Sequence, residues 1–247
     1  MKHYLALTCE AMARSIYASA ATSKNVISVR LFKQGLHNTP KKLRTILQEE
    51  IDALDTEQYD AILLVYGMCG TSTVGLTARR TPLVIPRAHD CISLYLGSGQ
   101  RYQEEFDKHP GTYWYSVDYI ERNDEGANIA LGAADMLIQE SQYQEYIHKF
   151  GKETADMLIE TMSQWSQLYS RAVFIDTGLG NCEPYEEMAR DKAKNEGWVF
   201  ERKTGDRRLV EMLINGDWNE GEFLVVQPGY TIQQSYDEGL INARIER

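Results

Sequence analysis

Cysteine is scarce in this chain, with four in 247 residues. No two fall in the Cys-x-x-Cys spacing of a zinc ribbon, which excludes a closed structural zinc site of that kind. So few in so long a chain build no disulfide framework either. Basic residues are also in deficit, 26 against 36 acidic ones, for a net charge of −10. That excludes the Lys/Arg footprint of a nucleic-acid binder and attraction to an anionic membrane surface. No apolar run approaches the ~20 residues that span a bilayer. The first residues enter a strand-like segment without a charged-then-apolar leader. The expectation is a cytoplasmic protein with reduced thiols. Neither the phosphate-loop motif nor the dinucleotide glycine fingerprint occurs, and there is no low-complexity tract.

What is present is alternation. With 43% hydrophobic residues the chain can bury a large core. Strands are expected at 3–8, 25–32, 59–66 and 82–86, and a helix at 10–22. Thr39-Pro40 opens a second helix, carried by Leu43, Ile46, Leu47, Ile51 and Leu54 at helical spacing. A further helix is expected after the turn Gly67-Met68-Cys69-Gly70. Residues 124–170 read as two helices broken near Gly151. Strands at 172–177, 198–203 and 222–227 then alternate with helices at 184–196 and 206–215. The expected fold is α/β: a parallel sheet of βαβ units in two portions joined by a long helical segment, with strand C-terminal ends forming a crevice. The portions are expected at 1–123 and 171–247, with 124–170 as the helical connection.

The chemistry-bearing residues follow strands. Cys9, Cys69, Cys91 and Cys182 each lie just past a strand-like run, and in a parallel sheet such ends share an edge. Cys9, Cys69 and Cys91 are the expected metal ligands; the place of Cys182 is left open. Arg87-Ala88-His89-Asp90-Cys91 gathers a cation, an imidazole, a carboxylate and a thiol, making Arg87, His89 and Asp90 the candidate catalytic group. As a plain loop, the same residues would cap a helix through Asp90. Thr71, Ser72 and Thr73 in the Gly-rich turn, with His37 and Arg101, are candidate substrate-binding residues. Three thiolates suit an iron–sulfur cluster with one open iron; two thiolates with His89 suit a catalytic zinc. The ligand count favours iron–sulfur. A metal-free enzyme with Cys91 as nucleophile and His89 as base stays open, as does a non-catalytic metallochaperone or partner-binding module.

The strings Ala6-Leu7-Thr8-Cys9-Glu10, Gly35-Leu36-His37-Asn38-Thr39-Pro40, Tyr66-Gly67-Met68-Cys69-Gly70 and Pro86-Arg87-Ala88-His89-Asp90-Cys91 together resemble a domain-of-unknown-function family of anaerobic bacteria and methanogenic archaea. Leu96-Gly97-Ser98, Pro110-Gly111-Thr112-Tyr113 and Gly205-Asp206-Arg207-Arg208-Leu209 extend the likeness over nearly the whole chain. The resemblance implies that Cys9, Cys69, His89 and Cys91 belong to signature motifs. It implies a setting in anaerobic one-carbon metabolism, with a small-molecule substrate and a corrinoid or methyltransferase protein as partner. Thr8 departs from the smaller residue expected before the first cysteine. The layout is also similar to that of quinolinate synthase, where α/β units each lend a cysteine to one cluster. The functional expectation is a metal-binding enzyme, of the lyase or transferase kind, or an accessory factor.

Overall fold

In β1 (His3–Cys9) alternate side chains go to opposite faces, as in a strand covered on both sides. Tyr4 and Ala6 join one buried cluster, and Leu5 and Leu7 another. The structure, a computed structural model, describes residues 1–54, 58–69, 71–122, 140–166, 168–235 and 239–245. After β1 come α1 (Ala13–Thr22), β2 (Val26–Phe32), α2 (Pro40–Ala53), β3 (Ala61–Val65) and β4 (Leu83–Pro86). Next are α3 (Cys91–Leu96), α4 (Gly99–Lys108), β5 (Thr112–Ser116) and α5 (Val117–Glu121). Then follow α6 (Glu140–Phe150), α7 (Lys152–Ser166), β6 (Arg171–Asp176), α8 (Glu183–Glu196) and β7 (Val199–Thr204). The chain continues through α9 (Arg208–Asn215), β8 (Phe223–Val226), β9 (Tyr230–Gln234) and β10 (Ile241–Ile245).

The first sheet has the order β2-β1-β3-β4-β8, parallel except for the antiparallel β8. β5, β6 and β7 form a second, all-parallel sheet, and β9 and β10 form a hairpin. The fold is therefore mixed α/β and mainly parallel. The sheets cut across the chain order: β5 pairs with β6 of the last third, while β8 returns to β4.

Helices cover the sheets where their apolar stripes allow. Leu43, Leu47 and Ile51 of α2 meet Leu5, Leu7, Ile62 and Leu64 on one face of the first sheet. Ile16 of α1, Ile92 of α3 and Leu213 of α9 meet Tyr4, Ala6 and Leu63 on the other. Trp114, Val173 and Ile175 of the second sheet close onto that same cluster. Tyr115 and Phe174 turn outward onto Ala189 and Ala193 of α8. Each fully buried Leu or Ile here stabilises the fold by roughly 1.5–3 kcal/mol.

One expected helix does not form. The chain after β3 makes turns over residues 71–75. Thr71, Thr73, Val74 and Gly75 are poor helix formers. The backbone pairs instead with β9, through Gly75 N–H to the Ile232 carbonyl at 2.8 Å and Ile232 N–H to the Leu76 carbonyl at 2.9 Å. The helices α6 and α7 meet at Gly151, whose φ of +80° suits glycine; residues 124–139 and 167 of the expected helical connection lie outside the described residues. Among the described residues no helix is long and apolar enough to cross a membrane.

Candidate functional site

The first sheet reverses its winding between β1 and β3, and the carboxyl ends of strands at such a switch point are where open α/β sheets hold ligands. Cys9 ends β1, and Cys69 lies four residues beyond Val65, the last residue of β3. Cys91 opens α3, after the loop that follows β4. The β3 and β4 loops extend the parallel pairing beyond the strands: Met68 N–H donates to the Ala88 carbonyl at 2.8 Å, and Cys69 N–H to that of His89 at 3.0 Å. Cys69 (φ +43°) and Thr71 (φ +76°) occupy the left-handed region without being glycine, a strain of order 1–3 kcal/mol each that concentrates at functional sites. Ser72 braces this turn, its hydroxyl donating to the Cys69 carbonyl at 2.7 Å.

The three thiols are brought together. All are partly enclosed. Burial pushes the Cys9 thiol up to about 11, although the Ala11 N–H partly offsets it. Burial also raises Cys69, reinforced by the charges of Asp90 and Cys9. Cys91 is raised by burial and then by Cys69, Asp90 and Cys9. Each thiolate thus disfavours the others. Among the described residues no three His, Cys, Asp or Glu side chains stand close enough to hold a single metal ion. Cys182 lies elsewhere, packed against the cluster beneath the second sheet, with Arg202 Nη2 4.0 Å from its sulfur.

Tyr66 is the residue that sequence reasoning missed. It is 3% exposed, its hydroxyl has no hydrogen-bond partner, and it senses the charges of Cys9, Cys69 and Glu10. A tyrosine ending an apolar run reads as core, so only the fold reveals the orphaned donor. Glu10, beside Cys9, accepts from the Gln34 N–H at 3.3 Å and faces Lys33 Nζ at 3.4 Å. Burial lowers the His37 pKa, partly offset by the Gln34 backbone. Gln34 Oε1, also buried, has no partner.

Around Cys91 the helix-capping role and a charge cluster coincide. Asp90 Oδ1 accepts from the Ile92 N–H at 2.9 Å and the Ser93 N–H at 3.4 Å. Its Oδ2 faces His89 Nδ1 at 3.4 Å, and this hydrogen bond raises the His89 pKa. Tyr102 stacks on His89 with centroids 6.2 Å apart, and burial followed by the Asp90 charge raises its pKa. The His89 side chain is 58% exposed.

Arg87, a candidate catalytic residue, and Arg101, a candidate substrate-binding one, are both tied to backbone carbonyls. Arg87 Nε donates to the Glu220 carbonyl at 2.9 Å, and its Nη1 to the carbonyls of Gly239 and Ile241. Arg101 donates to the carbonyls of Leu96 at 3.3 Å and Thr204 at 2.9 Å. Thr71 gives its carbonyl to Arg44 Nη2 at 2.8 Å, and Thr73 is buried with its hydroxyl unpartnered.

No curated protein and no solved structure matches the chain. Residues 31–214 match DUF1638, a family described as protein of unknown function. The matched span holds Cys69, His89, Cys91 and Cys182, while Cys9 precedes it. On that match, which runs from β2 to α9, the chain belongs to the DUF1638 family.

Proposed function

We propose that Cys9, Cys69 and Cys91 hold a metal centre at the switch point of the first sheet. The observation that carries this is the placement of three partly enclosed thiols at adjoining strand ends, with the buried, partnerless hydroxyl of Tyr66 beside Cys9 and Cys69. Thiols that disfavour one another's ionisation are hard to account for as nucleophiles, whereas a bound cation reverses the penalty and deprotonates all three. The count of three thiolates favours an iron–sulfur cluster over one zinc ion, because a cluster spreads its thiolates over separate irons and leaves one open. When bound, a three-cysteine cluster supplies an open iron, a Lewis-acid or redox centre.

The chain's own residues would surround it as follows. Asp90 fixes Cys91 at the start of α3 and holds His89, which keeps a proton at Nδ1 more readily for the contact. His89, near the solvent side, is the residue able to pass that proton to substrate. Tyr66 supplies a dry hydrogen-bond donor to sulfur or to bound substrate. Ser72 and the strained backbone at Cys69 and Thr71 hold the β3 loop, and the buried His37 lies near Gln34, whose N–H bonds Glu10. Arg87 and Arg101 position backbone segments.

The signature strings support a place in one-carbon metabolism of anaerobes, in a reducing cytoplasm, with a corrinoid or methyltransferase protein as partner. In that setting the protein is a metal-dependent lyase or transferase, or an accessory to one. Replacing Cys9, Cys69 or Cys91 by Ser, one at a time in protein purified without oxygen, should lower bound metal to a small fraction of the parent. Full retention in all three variants would reject the site. Under the thiol-enzyme reading the protein holds no metal, and iodoacetamide labels Cys91 with a bell-shaped pH dependence.

A further inference from the structure

The carboxyl ends of β5 and β6 form a second strand edge, which the thiolate reading leaves unused. A cavity of about 580 Å³ lies there, within the ~300–1,000 Å³ range of small-molecule sites. Arg14, Tyr17 and Ala18 line it from α1, Glu121 and Arg122 from the end of α5, and Leu179 and Gly180 from the loop after β6. Gly180 has φ +75°, and a Cβ on it would stand 2.8 Å from Arg14 Cζ. That positive φ favours glycine, and the missing side chain lets the loop lie close to the guanidinium.

The charges around the cavity are not equivalent. Arg14 is committed to Glu121, with Nε to Oε1 at 2.9 Å and Nη2 to Oε2 at 2.7 Å. Asp118 Oδ1 lies 3.9 Å from the same Arg14 Nε. Among the described residues Arg122 Nε is buried without an acceptor, and Glu121 Oε1 stands off at 3.7 Å. Both Glu121 oxygens are already taken by Arg14. A guanidinium in a cavity with unused donors is matched by a two-oxygen anion. Ala18, Leu179 and the Tyr17 ring offer apolar contact to whatever carries that anion.

We propose that this cavity binds a small organic anion, a carboxylate or a phosphate ester, whose charged group pairs with Arg122. The site is independent of the thiolate centre. Calorimetric titration of the full chain at constant ionic strength, with benzoate and with inorganic phosphate as probes, tests it. Saturable uptake of at least one probe is expected, and the preferred probe assigns carboxylate or phosphate. Arg122→Gln should weaken that uptake about tenfold, and Leu179→Glu should abolish it, both at an unchanged thermal midpoint. No saturable uptake of either probe by the parent overturns the proposal. So does a loss of less than about threefold in Arg122→Gln, or undiminished uptake in Leu179→Glu.

Discussion

Gly67 and Asp90 meet backbone to backbone: a Cβ on Gly67 would stand 2.6 Å from Asp90 Cα and 2.7 Å from its nitrogen. This contact presses the β3 loop, which carries Cys69, against the loop that presents Cys91. Gly67→Ala should force the loops apart and destabilise the protein by about 1–3 kcal/mol. Bound metal should fall with it. Urea unfolding and metal content of the same preparation check both; an unchanged midpoint with full metal would show that the contact is dispensable.

Tyr66 gives a prediction with opposite signs in two states. An unpartnered buried hydroxyl costs roughly 1–3 kcal/mol, so Tyr66→Phe should leave the metal-free protein as stable or up to about 1 kcal/mol more stable. In the metal-loaded protein the same change should weaken metal retention. Thermal midpoints measured with and without a chelator separate the two, and equal destabilisation in both states would make Tyr66 an ordinary core residue.

Asp118 makes stability pH-dependent. Burial raises its pKa from 3.8 to about 6, against the favourable contacts from Ser15, with Glu121 raising it further and Arg14 lowering it. The folded state therefore holds the proton more tightly than the unfolded one. Its contribution is fully present below pH ~4 and is lost as pH rises through about 6. The loss is on the order of 3 kcal/mol. Relative to Asp118→Asn, the parent should lose stability between pH 4 and pH 6 and run parallel above pH 7. Denaturant midpoints across that range test the sign.

Arg87 should behave as an anchor. Its guanidinium joins β4 to the carbonyls of Glu220, Gly239 and Ile241. Arg87→Ala should cost about 2 kcal/mol and raise hydrogen exchange in β9 and β10, with bound metal retained. Loss of turnover at full stability would instead restore Arg87 to catalysis.

Much of this was legible in sequence because burial writes itself as pattern. The alternation of Tyr4 and Ala6 with Leu5 and Leu7 marks a strand covered on two faces, and Cys9, Cys69 and Cys91 follow strands of that one sheet, whereas Cys182 follows a strand of the other. What was not legible depends on distant chain segments. β8 joins β4 antiparallel from more than a hundred residues away, and β5 leaves the strands before it to pair with β6. Arg87 and Arg101 look like substrate-binding cations because their partners are backbone carbonyls, which carry no side-chain signal. Arg122, unremarkable in sequence, acquires meaning only beside Glu121 and the glycine loop.

The most direct test of the thiolate centre is iron, sulfide and zinc analysis with an optical spectrum of protein purified without oxygen. The account predicts a brown protein with broad absorption near ~400 nm and iron and sulfide in cluster proportion. A colourless protein holding neither iron nor zinc would contradict it.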